Sequence, residues 1–306
     1  MYQKLAIAAL GLIFAMALPR ASWAETVMEK IARTGVLRIG TRLDTIPYSY
    51  VDNKKQLVGY SIDIVNLIKQ EIEGKTGRPV TIQVEVIDDL GQMIPKMMAS
   101  EIDLACGTQF TWQREQYVDF SIPYSLSGIR LLTKKGNISQ GTPESLVGKR
   151  IGVVPKSLGE AAIKTVQPKA VLVSFKGAED GFAALRDGKI DAIAGDTIIL
   201  AGNAQRVDPE AFHLLPTEPY ARYGVACMVP ENNSTFLNSV NQAIAKLMQG
   251  YVVGNKKYVD MVNKWIGPKG VIELPPELIQ DYFETIIISH EQIPLTKSPT
   301  VTGSQK

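Results

Sequence analysis

Strand-like and helix-like stretches alternate almost from the start of the chain, and this alternation is the strongest constraint on its fold. Val36-Leu-Arg-Ile-Gly-Thr41 predicts a short strand. Between Tyr60 and Lys75 the apolar residues Ile64, Val65, Ile68 and Ile72 fall at helical spacing, and Gly77 supplies the stop. Residues 79–87 alternate as a strand, 90–100 suit a helix, and 102–107 read as a buried strand. Such an order predicts an α/β fold built from parallel βαβ units.

The pattern then repeats in outline. Arg38-Ile39-Gly40 followed by Ile102-Asp-Leu-Ala-Cys-Gly107 has a counterpart in Arg150-Ile151-Gly152 followed by Ile190-Asp-Ala-Ile-Ala-Gly195. With 306 residues, more than one core usually serves, two similar α/β lobes are expected. Sheets of this kind bind ligands beyond the carboxyl ends of their strands. That rule singles out residues 40–42, 107–109, 154–157 and 195–196. A long helical stretch from Thr235 to Trp265, interrupted around Gly250 and Gly254, follows the second lobe.

Composition narrows the class. A formal charge of +2 is far too small for an electrostatic nucleic-acid binder, and near-average apolar content excludes a disordered or collagenous chain. Residues 1–24 carry Lys4, an apolar run from Leu5 to Leu18, Pro19, and Ser22-Trp23-Ala24, the layout of a cleaved secretory signal. The alternative, a membrane anchor, needs roughly 20 apolar residues, more than this run offers. Without Lys4 and Arg20 the exported chain is formally neutral. A tail over residues 286–306, rich in Ser, Thr, Pro and Gln, is expected to be disordered.

Catalytic chemistry finds little support. His213 lies in a strand pattern and His290 in the tail, and no HExxH, GxSxG, CxxC or phosphate-loop motif occurs. Cys106 and Cys227 lack metal-ligand spacing, so neither a metal nor a cofactor is expected. They could form a disulfide, worth roughly 4 kcal/mol in the chain-entropy model, or remain two buried thiols. At the predicted strand ends stand Arg42, Arg114 and Asp196. A guanidinium grips a carboxylate through two parallel hydrogen bonds, and a carboxylate suits an ammonium group. One Arg and one Asp are therefore what the head of an α-amino acid requires.

Several motifs carry a resemblance: Leu37-Arg-Ile-Gly-Thr-Arg42, Pro47-Tyr-Ser-Tyr-Val-Asp52, Val58-Gly-Tyr-Ser-Ile-Asp63, Gly107-Thr-Gln-Phe-Thr-Trp-Gln-Arg114, Val118-Asp-Phe-Ser-Ile-Pro-Tyr124 and Gly188-Lys-Ile-Asp-Ala-Ile-Ala-Gly-Asp196. Together they resemble the polar amino-acid solute-binding proteins of bacterial uptake systems (family 3), above all the glutamate/aspartate subgroup. The resemblance implies a type II periplasmic binding protein fold, with two Rossmann-like lobes joined by two hinge crossings. It places lobe 1 at 25–124 and 224–285 and lobe 2 at 125–223. It further implies a periplasmic, monomeric component that closes on an amino acid and docks on the membrane permease of an ABC transporter.

Carried over residue by residue, Arg114 corresponds to the arginine that binds the α-carboxylate and Asp196 to the carboxylate that receives the α-ammonium group. Ser157 matches a hydroxyl at a helix start, and Gly107, Thr108 and Gln109 line the same head-group site, although relatives usually place Ser or Thr where Gln109 stands. Arg42 matches the residue that faces the ligand side chain, so an acidic ligand is expected. Two departures stand out: Met93 and Ala178 occupy positions where the subgroup has an Arg and a His for the distal carboxylate. Tyr50 and Tyr48 are candidates for packing on the ligand or in the core. Alternatives are a polar or neutral amino-acid binder, a sensor docking on a receptor, and a dehydratase of the same fold with Glu160 as its spare carboxylate.

Overall fold

Residues 25–208 and 210–290 are described by the computed structural model, in which the chain forms two α/β lobes around a continuous sheet. The expected signal sequence, residues 1–24, lies outside the described residues, as do residues 291–306 of the expected tail. The first lobe opens with α1 (Val27–Thr34), where Thr26 and Glu29 exchange both hydrogen bonds of a capping box. Strand β1 (Val36–Thr41) leads to a small antiparallel ribbon of β2 (Asp44–Thr45), β3 (Ser49–Val51) and β4 (Leu57–Val58). Helix α2 (Tyr60–Thr76) buries Ile64, Val65, Ile68 and Ile72, the face its periodicity predicts, and Gly77 caps it. It returns the chain to β5 (Thr81–Val86), parallel to β1.

Two boundaries differ from expectation for local reasons. Asp89 accepts a hydrogen bond from Gly91 and pinches 90–92 into a tighter turn, so α3 is confined to Met93–Met98. Strand β6 (Ala105–Gln109) starts later than residue 102, because Asp103 is engaged with the main chain of Arg38. Arg38 N–H donates to the Asp103 carboxylate at 2.9 Å, and Asp103 N–H donates back to the Arg38 carbonyl at 2.8 Å. The second lobe repeats this clamp: Arg150 N–H donates to Asp191 at 2.8 Å and Asp191 N–H to the Arg150 carbonyl at 2.8 Å. The outline repeat in the sequence thus corresponds to the same strand-to-strand fastening in both lobes.

After β7 (Asp119–Phe120) the chain crosses once on β8 (Ser125–Lys134). The second lobe is β9 (Arg150–Val153), α4 (Leu158–Val166), β10 (Val171–Ser174), α5 (Ala178–Arg186), β11 (Ala192–Asp196), α6 (Thr197–Val207) and β12 (Phe212–Leu215). Strand β13 (Ala221–Val229) brings the chain back. The crossing strands lie side by side, from Val225 opposite Ser125 to Ala221 opposite Ile129, with β13 continuing against β6 and β8 against β11. One strand leaves a lobe while the other returns, so this pair is antiparallel, whereas β9, β10 and β11 pair in parallel as expected.

Helices α7 (Ser234–Val252), α8 (Lys256–Ile266) and α9 (Pro276–Ser289) close the first lobe. Val240, Leu247 and Phe283 from these helices pack with Ile64 and Ile68 in one core, while Ile87, Met97, Ile102 and Met228 fill the other side of the lobe. Helix α9 corrects the expected tail boundary: residues 286–289 are helical, and Ile287 is buried in that core. Disulfide Cys106–Cys227 joins β6 to β13. Among the described residues, no helix is long and apolar enough to cross a membrane, and no cluster of metal-ligating side chains occurs.

Candidate ligand-binding site

The carboxyl ends of β1, β6, β9 and β11 converge on one cavity between the lobes, of about 150 Å³. By the same measure a water needs roughly 10–15 Å³, so the space suits a molecule of about ten heavy atoms. Of the sequence-predicted residues, Arg42, Gly107, Thr108, Gln109, Arg114, Ser157 and Asp196 all line it.

Arg114 sits in the turn that follows β6. Its Nη1 donates to the Gln109 carbonyl at 2.9 Å and to Gln109 Oε1 at 3.2 Å. The unusual Gln109 therefore holds Arg114 by both backbone and side chain. Among the described residues the Nε and Nη2 hydrogens have no acceptor and no carboxylate pairs with this guanidinium. Burial lowers its pKa from the ordinary value, which marks an ion desolvated without a counter-charge.

Asp196 ends β11 and caps α6, accepting from Ile198 N–H at 2.9 Å and Ile199 N–H at 3.0 Å through one oxygen. Its other oxygen accepts from the Tyr223 hydroxyl at 2.6 Å. Burial pushes this carboxyl above its ordinary pKa, against the hydrogen bonds from Tyr223, the helix N–H groups and Ser127, which lower it. No cation pairs with it among the described residues, so Arg114 and Asp196 line one cavity as a positive and a negative group without ionic partners.

Local backbone chemistry shapes the rest. Ser157 caps α4 by accepting from Glu160 N–H at 3.2 Å, and the first N–H groups of that helix have no carbonyl four residues back. Gly159 lets the helix start press on β11: a Cβ there would lie 2.6 Å from the Ala194 carbonyl oxygen. Gly107 has φ +85°, a conformation favouring glycine, and a Cβ would crowd Ser61 at 3.0 Å. Thr108 lines the cavity, yet its hydroxyl donates to the Ala226 carbonyl at 3.0 Å.

Arg42 departs most from expectation. Rather than standing open, its Nε and Nη2 bind both carboxylate oxygens of Asp44 at 2.9 and 2.8 Å. Two further bonds run to the carbonyls of Asp88 at 2.5 Å and Lys176 at 3.2 Å, the second across the cleft. Asp44 also crosses the cleft, accepting from Ala178 N–H at the start of α5 at 3.0 Å. Met93 and Ala178, the two departures from the glutamate/aspartate pattern, also line the cavity.

Tyr50 is not a cavity residue. Its ring stands edge-on to Trp265 at 6.2 Å, and it borders a separate hollow with Arg206. Tyr48 is fully buried, its hydroxyl 3.1 Å from Ser125 Oγ. His213 is exposed on β12, and Glu160 is held by Lys164 and by Lys156 N–H outside the cavity lining.

Asp44 and Tyr223 are functional-site residues that sequence reasoning missed. A signal for Asp44 existed: residues two apart on an extended segment share a face, so Arg42-Leu-Asp44 presents opposite charges together. For Tyr223 no local signal existed, since it reaches Asp196 only because β13 returns beside β8.

Comparison with known proteins agrees with this architecture. The sequence profile of bacterial extracellular solute-binding proteins, family 3, matches residues 37–268. The chain belongs to that family. As a family 3 solute-binding protein it is 29% identical over 283 residues to a glutamate/aspartate import solute-binding protein of Salmonella typhimurium, covering 90% of this chain and 89% of that one. It is also 27% identical to an ABC transporter glutamine-binding protein of Bacillus subtilis, over 69% of this chain and 73% of the relative. Among solved structures, an ancestral arginine-binding protein bound to glutamine superposes with a TM-score of 0.67 at 26% identity, covering 76% of this chain and 98% of that chain. An ancestral arginine-binding protein bound to arginine superposes equally well, with a TM-score of 0.67 at 26% identity, so membership of this fold does not fix ligand charge. The type II periplasmic binding protein fold expected from the sequence is the fold of this chain.

Proposed function

We propose that this family 3 protein captures an α-amino acid between its two lobes and delivers it to the membrane permease of an ABC transporter. One observation carries the reading: Arg114 and Asp196, opposite in charge and without ionic partners among the described residues, line the same interlobe cavity. The α-carboxylate takes the open edge of the Arg114 fork and the free N–H groups at the start of α4 beside Ser157. The α-ammonium group takes Asp196. Closure of the lobes, divided near residues 124 and 223 by the two crossing strands, removes both pairs from water. Periplasmic residence follows from the expected signal sequence and the import role of relatives.

Glu160, the spare carboxylate of the dehydratase alternative, is tied to Lys164 at 2.8 Å and is not a cavity residue. That placement favours capture over turnover. Calorimetry of the ligand-free protein against the twenty amino acids tests the proposal: at least one is expected to bind at micromolar affinity or better, about −8 kcal/mol. Absence of binding by all twenty would overturn it.

A further inference from the structure

Resting on that reading of the head-group site, we infer that the amino acid this chain selects carries an uncharged, apolar side chain rather than an acidic one. Arg42 is the cation that an acidic side chain would need. Its fork is already closed by Asp44 in a bidentate pair at 2.9 and 2.8 Å, with side chains only 14% and 22% exposed. The carbonyls of Asp88 and Lys176 take further hydrogens, leaving a single Arg42 N–H without an acceptor among the described residues.

The charges lining the cavity then balance. Arg42 and Asp44 cancel, and Arg114 and Asp196 are matched by the two halves of a zwitterion. A second ligand carboxylate would lie beside Asp44 and would have to displace it from Arg42, leaving one buried anion unpaired. Displacement would also undo the bond from Ala178 N–H to Asp44, one of the contacts that join the lobes. Among the described residues the remaining lining supplies no further cation: Thr41, Thr45 and Thr108 donate to the carbonyls of Arg42, Ser49 and Ala226, and Gln109 and Ser157 stand at the head-group end beside Arg114 and the start of α4. What faces the cavity instead is apolar, with Leu90, Met93 and Ile94 from one lobe and Phe175, Ile193 and Leu200 from the other. Those surfaces gain from burying a hydrocarbon side chain.

The test is calorimetric ranking of leucine, methionine, phenylalanine, glutamate, aspartate and arginine on the protein stripped of ligand by unfolding and refolding. At least one of the first three is expected to bind tenfold or more tightly than glutamate. In Asp44→Asn, which keeps the shape and removes the charge, the glutamate-to-leucine affinity ratio is expected to rise at least tenfold. Tightest binding of glutamate, aspartate or arginine by the unaltered protein overturns the inference while leaving the amino-acid reading intact, as does an unchanged ratio in the variant. Binding of no amino acid overturns both. The ranking by the unaltered protein decides the matter even if the variant fails to fold.

Discussion

The Tyr223 hydroxyl donates to the Asp196 carboxylate at 2.6 Å, joining a hinge-crossing strand to the helix cap that closes the second lobe's ligand face. Burial raises the Tyr223 pKa well above its ordinary value, and the adjacent Asp196 charge adds to the effect, so the phenol stays a donor throughout the physiological range. Tyr223→Phe removes this donor from a buried carboxylate. Denaturant unfolding is expected to show a loss of about 1.5–3 kcal/mol, the range for hydrogen bonds to charged groups. An unaltered midpoint would mean that Asp196 finds another donor.

With Asp196 as the proposed ammonium site, its ionisation is expected to set the pH dependence of capture. Only its ionised form holds an ammonium group, and burial raises the carboxyl pKa of the ligand-free protein above 3.8. Binding must therefore expel the proton on the acid side of this raised value, and affinity is expected to fall about tenfold per pH unit there. Stability of the ligand-free chain runs the other way. The folded state holds the proton more tightly than the unfolded chain, so this contribution is present below the unfolded value and is lost as pH rises through the folded one. Calorimetry across the acid range in two buffers of different ionisation enthalpy reads the proton release directly. Asp196→Asn is expected to abolish it.

Arg114→Met tests the other half of the head-group site. Truncating one partner of a desolvated charge pair costs about 2–5 kcal/mol, so affinity for every amino acid is expected to drop at least 30-fold. Arg114→Lys keeps the charge without the fork and is expected to recover only part of the loss. Equal losses for Lys and Met would show that geometry, and not charge, holds the carboxylate.

The disulfide makes a separate prediction about stability. Cys106 and Cys227 are 121 residues apart, and the bond ties β6 to the returning strand β13. Replacing both by alanine is expected to lower unfolding stability by about 2–5 kcal/mol, read from guanidinium titration. The β6–β13 ladder should keep the lobes assembled, so circular dichroism at low denaturant is expected to be unchanged.

Much of this molecule was determined by the sequence alone. The helical spacing of Ile64, Val65, Ile68 and Ile72 specified α2, because one face of that helix must leave water. The repeated Arg-Ile-Gly and Ile-Asp words marked the two lobes, whose local fastenings proved alike. The predicted strand ends contain Arg42, Gly107, Thr108, Gln109, Ser157 and Asp196, which line the interlobe cavity because loops at those ends are the part of an α/β sheet free to meet a ligand. Tertiary structure alone decided which charges are available. Arg42 and Arg114 are the same residue type at neighbouring strand ends, yet Asp44 neutralises one while Gln109, an uncharged partner, orients the other. Pairing depends on distances of a few ångströms between groups from different loops and lobes, and Tyr223 reaches Asp196 only where a strand comes back across the hinge. The chain's pattern therefore marks where an amino acid can be held, and the packed cleft sets which charges remain open there.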